Sequence, residues 1–394
     1  MDIEVARWLT GPDAAASIRE AHGFDDPSSL KAGAALRRTL SPDRAAAVAD
    51  LEWLRRRGAA KLGDMAASLF LTHDGLEQAT RFPVAQWRAG RLSGAATRMI
   101  DAGCGLGIDA LAARMAGIEV IGIEKDPVTA IFARANLGTV PGPAYEVRTA
   151  DLKDLNPEEL PGGRGTQDTA IFLDPARRTE KGRSWKVDDL SPSWDSILGV
   201  LGHGFVVVKL APGFPRRLLP AGVDVTWVSH KKDLVETTLW SWAGATGRRE
   251  AVVLNGTESR LLAGGPLPSP APVSRYVYEP DPAVIRAGAT GVLARMAGVR
   301  PVADSIAYLT GPDLLLTDFA DVFEVLEILD FSEKALRAWV RDQGIGTLEI
   351  KVRGLGVDPA VLRRALRPKG ANAATIILTP TTDGAKALVV RRIR

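Results

Sequence analysis

Apolar residues recur at helical spacing through the first part of the chain. This pattern predicts three helices, over residues 26–40, 41–63 and 76–92. Ser41 is the predicted N-cap of the second helix, and Pro42 stands at its first position, where its missing N–H costs nothing. Pro83 predicts a kink in the third helix. We therefore expect a helical N-terminal domain over residues 1–95.

Short apolar runs then alternate with helical segments. Seven of these runs are typical of strands, at 97–101, 119–124, 145–149, 169–174, 204–209, 223–229 and 235–243. Four helical segments lie between them, at 107–116, 127–137, 153–160 and 192–200. Such alternation indicates an α/β fold with a doubly wound parallel sheet, and the last two runs indicate a closing hairpin. The sequence predicts a seven-stranded, Rossmann-like sheet over residues 96–262.

A Pro-, Gly- and Ser-rich run, GGPLPSPAPVS, follows the predicted sheet and indicates a linker at 263–275. Beyond it, residues 276–394 read as a small α+β domain. We expect helices at 282–297, 332–342 and 359–366, and strands at 306–309, 322–328, 346–352, 375–379 and 387–391.

Composition is that of an ordinary globular chain. It has 394 residues, 46% of them hydrophobic, and a mean hydropathy of +0.01. No segment reaches the roughly 18 to 20 apolar residues that a membrane span needs, and the charged first residues do not resemble a signal peptide, so we expect a cytoplasmic protein without membrane contact. One cysteine, Cys104, and four histidines allow no disulfide and no recognised zinc spacing, so we expect no metal.

Charge is unevenly distributed. The whole chain carries +3, but residues 331–394 hold thirteen Lys and Arg against five Asp and Glu, a net +8, which leaves −5 for residues 1–330. A basic C-terminal segment suits contact with a phosphate backbone. A solvated basic face without a partner explains the same distribution.

The segment from Met99 to Glu124 reads as a strand, a glycine-rich turn, a helix and a second strand that ends in an acid. Asp101 opens the turn, and its three glycines are Gly103, Gly105 and Gly107. The dinucleotide fingerprint requires its third glycine one position later. This spacing favours S-adenosylmethionine over NAD, because bare backbone can then pass under the methionine and ribose moieties. Asp101 would face the amino-acid end of the cofactor.

Acids at the following strand ends extend this predicted site. Glu124 is placed to accept hydrogen bonds from both ribose hydroxyls. Asp151 is placed to accept from the adenine amino group while the neighbouring backbone N–H donates to the ring, although a helix N-cap at Asp151 or Asp154 would explain the same residue. The predicted cofactor contacts in this part of the chain are Asp101, Ala102, Gly103, Cys104, Gly105, Gly107, Glu124, Lys125, Asp151, Leu152 and Asp174.

The run IFLDPARR places Asp174 and Pro175 at the end of the fourth strand, where the fold opens onto the transferred group. Methyltransferases that act on exocyclic base nitrogens carry Asp, Asn or Ser here, followed by two prolines and an aromatic residue. Asp174 and Pro175 fit this pattern, so we assign them to catalysis. Ala176 and Arg177 stand where the second proline and the aromatic residue would be. The predicted substrate-binding residues are Arg177, Arg178 and Lys209.

The missing aromatic leaves the stacking group open. Arg177 could stack its guanidinium on a base or hold a phosphate. Trp185 and Trp194 are alternatives, although core packing is the default role of a tryptophan. Methylation at pyrimidine C5 is excluded on a different ground, because its cysteine nucleophile is absent: the only thiol, Cys104, lies in the cofactor loop.

Four runs carry a resemblance to a known family: LTHDGLEQATRFPVAQWRAGRL, MIDAGCGLGIDALAA, IGIEKDP and IFLDPARR. The chain resembles bacterial class I S-adenosylmethionine-dependent methyltransferases with a THUMP-like C-terminal domain, which are distantly similar to trimethylguanosine synthases. The resemblance implies that Gln78 and Thr80 line the cofactor pocket, that 276–394 is THUMP-like, and that the partner is structured RNA. The synthases carry Ser-Pro-Pro-Trp where this chain has Asp-Pro-Ala-Arg.

We therefore predict methyl transfer from S-adenosylmethionine to a base nitrogen of tRNA or rRNA, with guanine N2 as the favoured atom. Two alternatives stay open. One is a methyltransferase that acts on a small molecule or a protein, and the other is a non-catalytic RNA-binding protein.

Overall fold

A computed structural model describes residues 1–152, 168–177, 187–201, 204–256 and 258–393. The predicted helix at 153–160 lies outside these residues. The chain forms two compact units, the first made of Met1–Val223 with Thr238–Thr246 and the second of Asp224–Thr237 with Gly247–Arg394. The domain boundaries predicted from the sequence stay a prediction.

The front of the chain is helical. Its helices are α1 Ile3–Thr10, α2 Ala15–His22, α3 Leu30–Leu36, α4 Pro42–Leu62, α5 His73–Gln78 and α6 Phe82–Ser93. Ser41 stands at the N-cap of α4 and Pro42 in its first turn, as predicted. The predicted kinked helix over 76–92 is wrong. The helix ends at Gln78, and Pro83 lies in the first turn of α6, a position that needs no backbone donor.

The first sheet has nine strands. They are β1 Arg98–Ala102, β2 Glu119–Glu124, β3 Tyr145–Thr149, β4 Thr169–Leu173, β7 Phe205–Leu210, β8 Asp224–His230, β9 Asp233–Ser241, β10 Arg249–Leu254 and β11 Glu258–Leu262. Their order is β11-β10-β8-β9-β7-β4-β1-β2-β3. The run β3-β2-β1-β4-β7 is parallel throughout. The predicted fold class is confirmed, and β10 and β11 extend the predicted seven strands at the β8 side.

The elements between these strands complete the α/β pattern. They are α7 Ile108–Met115, α8 Pro127–Gly138, a short pair of strands β5 Ala176–Arg177 and β6 Leu190–Ser191, and α9 Trp194–Leu201. β1 and β2 are buried over most of their length, and Ile100, Ile121 and Ile123 form a core cluster between them. Strands covered on both faces read as continuous apolar runs, which is why this part of the sheet could be predicted.

The second unit contains a seven-stranded sheet of order β13-β14-β12-β15-β18-β17-β16. Its strands are β12 Tyr276–Pro280, β13 Arg300–Pro301, β14 Leu309–Gly311, β15 Ala320–Asp330, β16 Ile345–Val352, β17 Asn372–Thr381 and β18 Gly384–Ile393. Its helices are α10 Pro282–Ala287, α11 Thr290–Ala297, α12 Glu333–Asp342 and α13 Pro359–Leu366. The single helix predicted over 282–297 is two helices, because α10 ends at Gly288.

Two apolar clusters hold this second sheet. α12 and α13 contribute Leu336, Val340, Leu362 and Leu366 to one of them. The other contains Tyr308 and Phe323. Neighbouring residues of β18, Ala387 and Leu388, belong to different clusters, so the sheet is covered on both faces. Among the described residues, no helix is both long enough and apolar enough to cross a membrane.

Candidate cofactor and acceptor site

The glycine-rich turn between β1 and α7 is built from left-handed backbone. Gly103, Gly105 and Gly107 have φ values of 86°, 53° and 76°, which other residues rarely adopt. A Cβ built on Gly103 or Gly105 would meet no atom within 4 Å. The space in front of this turn is therefore open, as the backbone approach of a cofactor requires.

β2 fixes the shape of this turn. The amides of Gly103 and Cys104 both donate to the Ile123 carbonyl, each at 2.9 Å. Glu124 accepts from the Gly105 N–H through Oε2 at 3.0 Å and from the Asp126 N–H through Oε1 at 2.9 Å. The carboxylate predicted to bind ribose is thus held at the turn by two backbone donors, and each oxygen keeps a lone pair for a further hydrogen bond.

Gly122 permits a close approach between β2 and the turn. A Cβ at this position would lie 2.9 Å from the Cys104 Sγ, closer than van der Waals contact allows. Cys104 itself is 8% exposed, and burial raises the pKa of its thiol. The thiol therefore stays protonated at neutral pH and is a poor nucleophile.

Asp101 ends β1 almost completely buried, at 1% exposure. Its Oδ2 accepts no hydrogen bond within the part of the chain that the structure describes. Burial raises the pKa of Asp101 well above its usual value, and the nearby Asp109 and Asp174 carboxylates raise it further. A buried carboxyl oxygen without a donor fits the ammonium group of an amino acid moiety.

The other predicted contacts on the cofactor side lie around the ends of β1, β2 and β3. Ala102 is buried at the end of β1, and Lys125 is exposed after β2. Asp151 and Leu152 follow β3, where Leu152 packs against the cluster of Ile100, Ile121 and Ile123. Asp154, the competing N-cap, lies outside the described residues.

Asp174 stands directly after β4, beside Lys209 of the neighbouring strand β7. The Lys209 Nζ donates to the Asp174 Oδ2 and also to the Thr80 Oγ1, the latter at 2.9 Å. The Asp174 side chain remains 37% exposed. Burial raises its pKa, and the Lys209 ammonium offsets part of that rise. The carboxyl end of β4, which we call the acceptor edge after its predicted role, therefore presents a carboxylate with one oxygen engaged by a cation.

The chain beyond Asp174 is described only in part. Pro175 follows, and the backbone of β5 pairs with β6. The side chain of Arg177 lies outside the description, as do Arg178 and Trp185. Trp194 begins α9 and packs against Phe214, with ring centroids 4.8 Å apart. The predicted substrate roles of these residues stay predictions.

Two residues that the sequence analysis missed complete the site. Arg88 of α6 is 2% exposed and forms an ion pair with Asp109 of α7. Thr80, also buried, donates to the other Asp109 oxygen at 2.8 Å. Burial would raise the pKa of Asp109, but Arg88, Lys209 and these hydrogen bonds bring it below its usual value. Arg88 interrupts the apolar stripe of Ala85, Ala89 and Leu92 on α6, which is the signal of a buried ion pair.

Comparisons with known proteins decide the family. The chain is 34% identical over 351 residues to two proteins of Mycobacterium tuberculosis, from strains CDC 1551 / Oshkosh and H37Rv, each described as an uncharacterized S-adenosylmethionine-dependent methyltransferase. The alignment covers 86% of this chain and 93% of each relative. The chain belongs to the S-adenosylmethionine-dependent methyltransferases. Its predicted family and its predicted cofactor, S-adenosylmethionine, are confirmed.

Two further comparisons describe parts of this methyltransferase. The family model described as THUMP domain-like matches residues 320–392. The crystal structure of a protein described as a methyltransferase from Porphyromonas gingivalis W83 covers 100% of this chain and 98% of its own, with a TM-score of 0.78 and 22% identity. At that identity, the likeness shows a shared fold.

Three features of the site fit S-adenosylmethionine: the open glycine turn, the Glu124 carboxylate beside it, and the buried Asp101 oxygen. Gln78 ends α5 and is exposed, and its side chain forms no hydrogen bond with a described residue, whereas Thr80 lies in the network around Asp109. Among the described residues, no group of three or more His, Cys, Asp or Glu is arranged to hold a metal ion.

Proposed function

We propose that this methyltransferase transfers a methyl group to a base nitrogen of tRNA or rRNA, with guanine N2 as the favoured acceptor. The observation that carries the proposal is the Asp174 carboxylate at the edge of the sheet. Its Oδ2 accepts from Lys209, and its Oδ1 accepts from no described residue. A half-exposed carboxylate oxygen only accepts hydrogen bonds, so it suits an N–H donor such as an exocyclic amino group.

The reaction needs positioning more than acid-base chemistry. S-adenosylmethionine supplies a methyl group on a positively charged sulfur. The Asp174 Oδ1 accepts one amino hydrogen and so directs the nitrogen lone pair at the methyl carbon. The cofactor, held by Asp101, the glycine turn and Glu124, would give its methyl group to the nitrogen and leave as S-adenosylhomocysteine, with the electron pair of the broken carbon–sulfur bond on sulfur. Asp174 would take the proton that the methylated nitrogen loses and pass it to water. Holding the two reactants in attack geometry supplies most of the acceleration.

Guanine N2 is favoured by the donor pattern of the base. The amino group of guanine is a donor beside a second donor, the ring N1–H, and a carboxylate can accept from both. The Asp174 carboxylate has only acceptor oxygens, whereas an amide or a hydroxyl side chain at this position would also present a hydrogen. The missing aromatic residue after Pro175 is consistent with recognition through hydrogen bonds at this position.

Support for an RNA substrate comes from the second unit. Arg363, Arg364, Arg367 and Lys369 form an exposed cluster at the C-terminal end of α13, which we call the basic patch. Arg363, Arg367 and Lys369 form no ion pair with a described residue. Several other cations of this unit form ion pairs, as in Lys386–Asp330 and Arg391–Glu324. Unneutralised cations within the THUMP domain-like match suit a phosphate backbone. We assign residues 276–394 to presenting the RNA.

Methyl transfer to cellular RNA tests this proposal. The protein is incubated with labelled S-adenosylmethionine and RNA from a strain that lacks it, and the labelled nucleoside is identified by mass spectrometry. We expect N2-methylguanosine from tRNA or rRNA. Label confined to small molecules or proteins, with none in RNA, would overturn the proposal.

Substitution of Asp174 tests its role within that assay. Asp174→Ala should abolish transfer and leave the cofactor dissociation constant within about twofold, because the carboxylate acts on the acceptor. Asp168→Ala is the matched control, since Asp168 is exposed and precedes β4 at the opposite end of the same strand. Undiminished turnover by Asp174→Ala would remove Asp174 from the reaction.

A further inference from the structure

A continuous set of polar contacts leads from the helical front of the chain to the acceptor edge. Arg88 donates to the Asp109 Oδ1, and Thr80 donates to the Asp109 Oδ2 at 2.8 Å. Lys209 donates to the Thr80 Oγ1 at 2.9 Å and to the Asp174 Oδ2. The side chains of Arg88 and Thr80 are buried, and that of Lys209 is 15% exposed. Each member lies in the first compact unit.

We propose that Thr80 is a positioning residue for the acceptor carboxylate: its hydroxyl holds the Lys209 ammonium on the Asp174 Oδ2, which leaves Oδ1 directed at the acceptor. This inference rests on the proposed function, in which Asp174 binds the acceptor. It gives Thr80 a role that differs from the predicted contact with the cofactor.

The direction of the hydrogen bonds follows from the charge of Asp109. Arg88 keeps the Asp109 carboxylate ionised, so Asp109 can only accept. The single hydroxyl hydrogen of Thr80 must therefore point to Asp109, and a lone pair of its oxygen faces Lys209. Because the Lys209 ammonium has hydrogens to donate and no lone pair, this arrangement fits it and excludes an ionised carboxylate in its place. The Thr80 hydroxyl therefore links the Arg88–Asp109 pair to Lys209 through two hydrogen bonds.

Lys209 is repelled by a neighbouring cation, so its contact with the Thr80 oxygen helps to keep it in place. Lys61 and Arg81 lie close enough to interact with one another, and Lys61 also feels the charge of Lys209. The charge of Lys61 opposes a fixed ammonium at the Lys209 position. The Thr80 oxygen and the Asp174 carboxylate together offset that repulsion, so loss of the Thr80 oxygen weakens the hold on Lys209.

The charged groups around Asp174 come from four elements. Lys209 of β7 and Arg88 of α6 stabilise its ionised form, whereas Asp109 of α7 opposes it. Asp101 of β1 also faces it, and the Asp174 carboxylate raises the pKa of Asp101. Lys209 is the only one of the four with a hydrogen bond to Asp174 among the described residues. If Lys209 moves away, burial and the Asp109 carboxylate raise the Asp174 pKa further, and less of the carboxylate is ionised at a given pH.

Thr80→Val is the test, because valine keeps the shape of threonine and lacks its hydroxyl; Thr80→Ser is the matched control that restores the oxygen. The Asp174 carboxyl is titrated by NMR in protein labelled with ¹³C at aspartate, without an acceptor, and Asp174→Asn assigns its signal. We expect the Asp174 titration to move to higher pH in Thr80→Val and to stay at the wild-type position in Thr80→Ser.

Kinetic measurements distinguish a positioning role of Thr80 from a role in cofactor binding. Thr80→Val should lower kcat about tenfold and move the acid limb of the pH profile to higher pH, because a hydrogen bond to a charged group is lost. The cofactor dissociation constant should stay within about twofold, and Thr80→Ser should recover kcat. If Thr80→Val does not fold, as judged by thermal melting, Thr80→Ala serves in the same measurements.

Two results would overturn the inference. One is an unchanged Asp174 titration and kcat in Thr80→Val. The other is a cofactor dissociation constant that rises in parallel with the loss of kcat, which would assign Thr80 to the cofactor. Since the titration needs no acceptor, its outcome is independent of whether RNA is the substrate, which the label in RNA decides.

Discussion

Three neighbouring carboxyl groups of the site differ in pKa because their surroundings differ. Asp109 has an arginine and a threonine hydroxyl as donors, and its pKa falls below the usual value. Asp101 has a buried oxygen without a donor among the described residues and two acidic neighbours, and its pKa rises well above the usual value. Burial raises the pKa of Asp174, and its contact with Lys209 offsets part of that rise. The same side chain thus has a lowered pKa at an ion pair and a raised pKa where burial dominates.

The Arg88–Asp109 pair should matter for stability. Arg88→Met leaves the Asp109 charge buried without its cation, and we expect the free energy of unfolding at pH 7 to fall by about 3–5 kcal/mol, measured by urea denaturation. Arg98→Met is the matched control, since Arg98 pairs with Glu119 at a site about one-third exposed, and it should cost under about 1 kcal/mol. Equal losses in the two variants would contradict a special role for the buried pair.

The contribution of the Arg88–Asp109 pair to stability should decrease as the pH is lowered. The folded pKa of Asp109 lies below its unfolded value, so its contribution is present above the unfolded pKa and is lost as pH falls through the folded pKa. In Arg88→Met this acid-side contribution should largely disappear, so the difference in stability between wild type and variant shrinks as the pH is lowered.

Asp101 should couple cofactor binding to a proton. Its raised pKa means that the free site holds the proton to higher pH than an ordinary aspartate does, and an ammonium group placed at Oδ2 would favour ionisation. We expect binding of S-adenosylhomocysteine to release a fraction of a proton, and its affinity to rise with pH over the range in which free Asp101 ionises. Calorimetry in buffers of different ionisation enthalpy measures this release, and Asp101→Asn should abolish it.

Among the helices and strands, the sequence predicts best those whose ends are set by residues next to them along the chain. The helix predicted over 359–366 is α13 without a shift, because Asp358 caps it and Pro359 opens it. The predicted 76–92 helix failed because its break falls at Ala79 and Arg81, residues with no breaking tendency of their own. Their extended backbone serves to bring Thr80 to Asp109. Tertiary contacts override local preference there.

The residues of the site likewise divide into those with a local sequence pattern and those that only tertiary packing brings together. The glycine turn, Glu124 and Asp174 could be found because strand ends and turn glycines carry a local pattern. The network of Arg88 and Asp109 could not, since its members are 21 residues apart and meet only when α6 packs on α7. Lys209 was assigned to the substrate from its strand position, and its contact with Thr80 spans 129 residues of sequence.

The packing of β2 on the glycine turn gives a prediction at this scale. Gly122→Ala places a methyl group against the Cys104 Sγ, and we expect a loss of about 1–3 kcal/mol in the free energy of unfolding. Adding Cys104→Ala should recover part of that loss, because it removes the sulfur. Gly90→Ala is the matched control: Gly90 is an exposed position inside α6 with open space around it, so alanine there should stabilise by about 0.5–1 kcal/mol. Destabilisation that Cys104→Ala fails to relieve would contradict the steric cause.

Net charge is unevenly distributed along the whole chain. Residues 331–394 carry +8, against −5 for residues 1–330, and the basic patch contributes four of the cations in this C-terminal stretch. A partner with a continuous negative backbone would be attracted to residues 331–394, so charge favours contact between this stretch and a polyanion.

Neutralising the basic patch should weaken tRNA binding and its dependence on salt. Replacing Arg363, Arg364, Arg367 and Lys369 by Gln should lower the slope of log affinity against log salt by up to about 3, since each phosphate contact contributes roughly 0.7–0.9. The matched control replaces four exposed cations of the helical front, Arg19, Lys31, Arg37 and Arg38. An equal effect in both quadruple variants, measured by filter binding at several salt concentrations, would mean that net charge and not the patch governs binding.

The hydrogen bonds of Glu124 with the Gly105 and Asp126 amides fix the glycine turn before a cofactor binds. A turn already ordered by its own carboxylate loses little conformational entropy when a ligand binds, so we expect a small entropic cost of association. Stopped-flow traces should then show a single phase whose rate rises linearly with cofactor concentration. We expect the slow step of the catalytic cycle to follow cofactor binding.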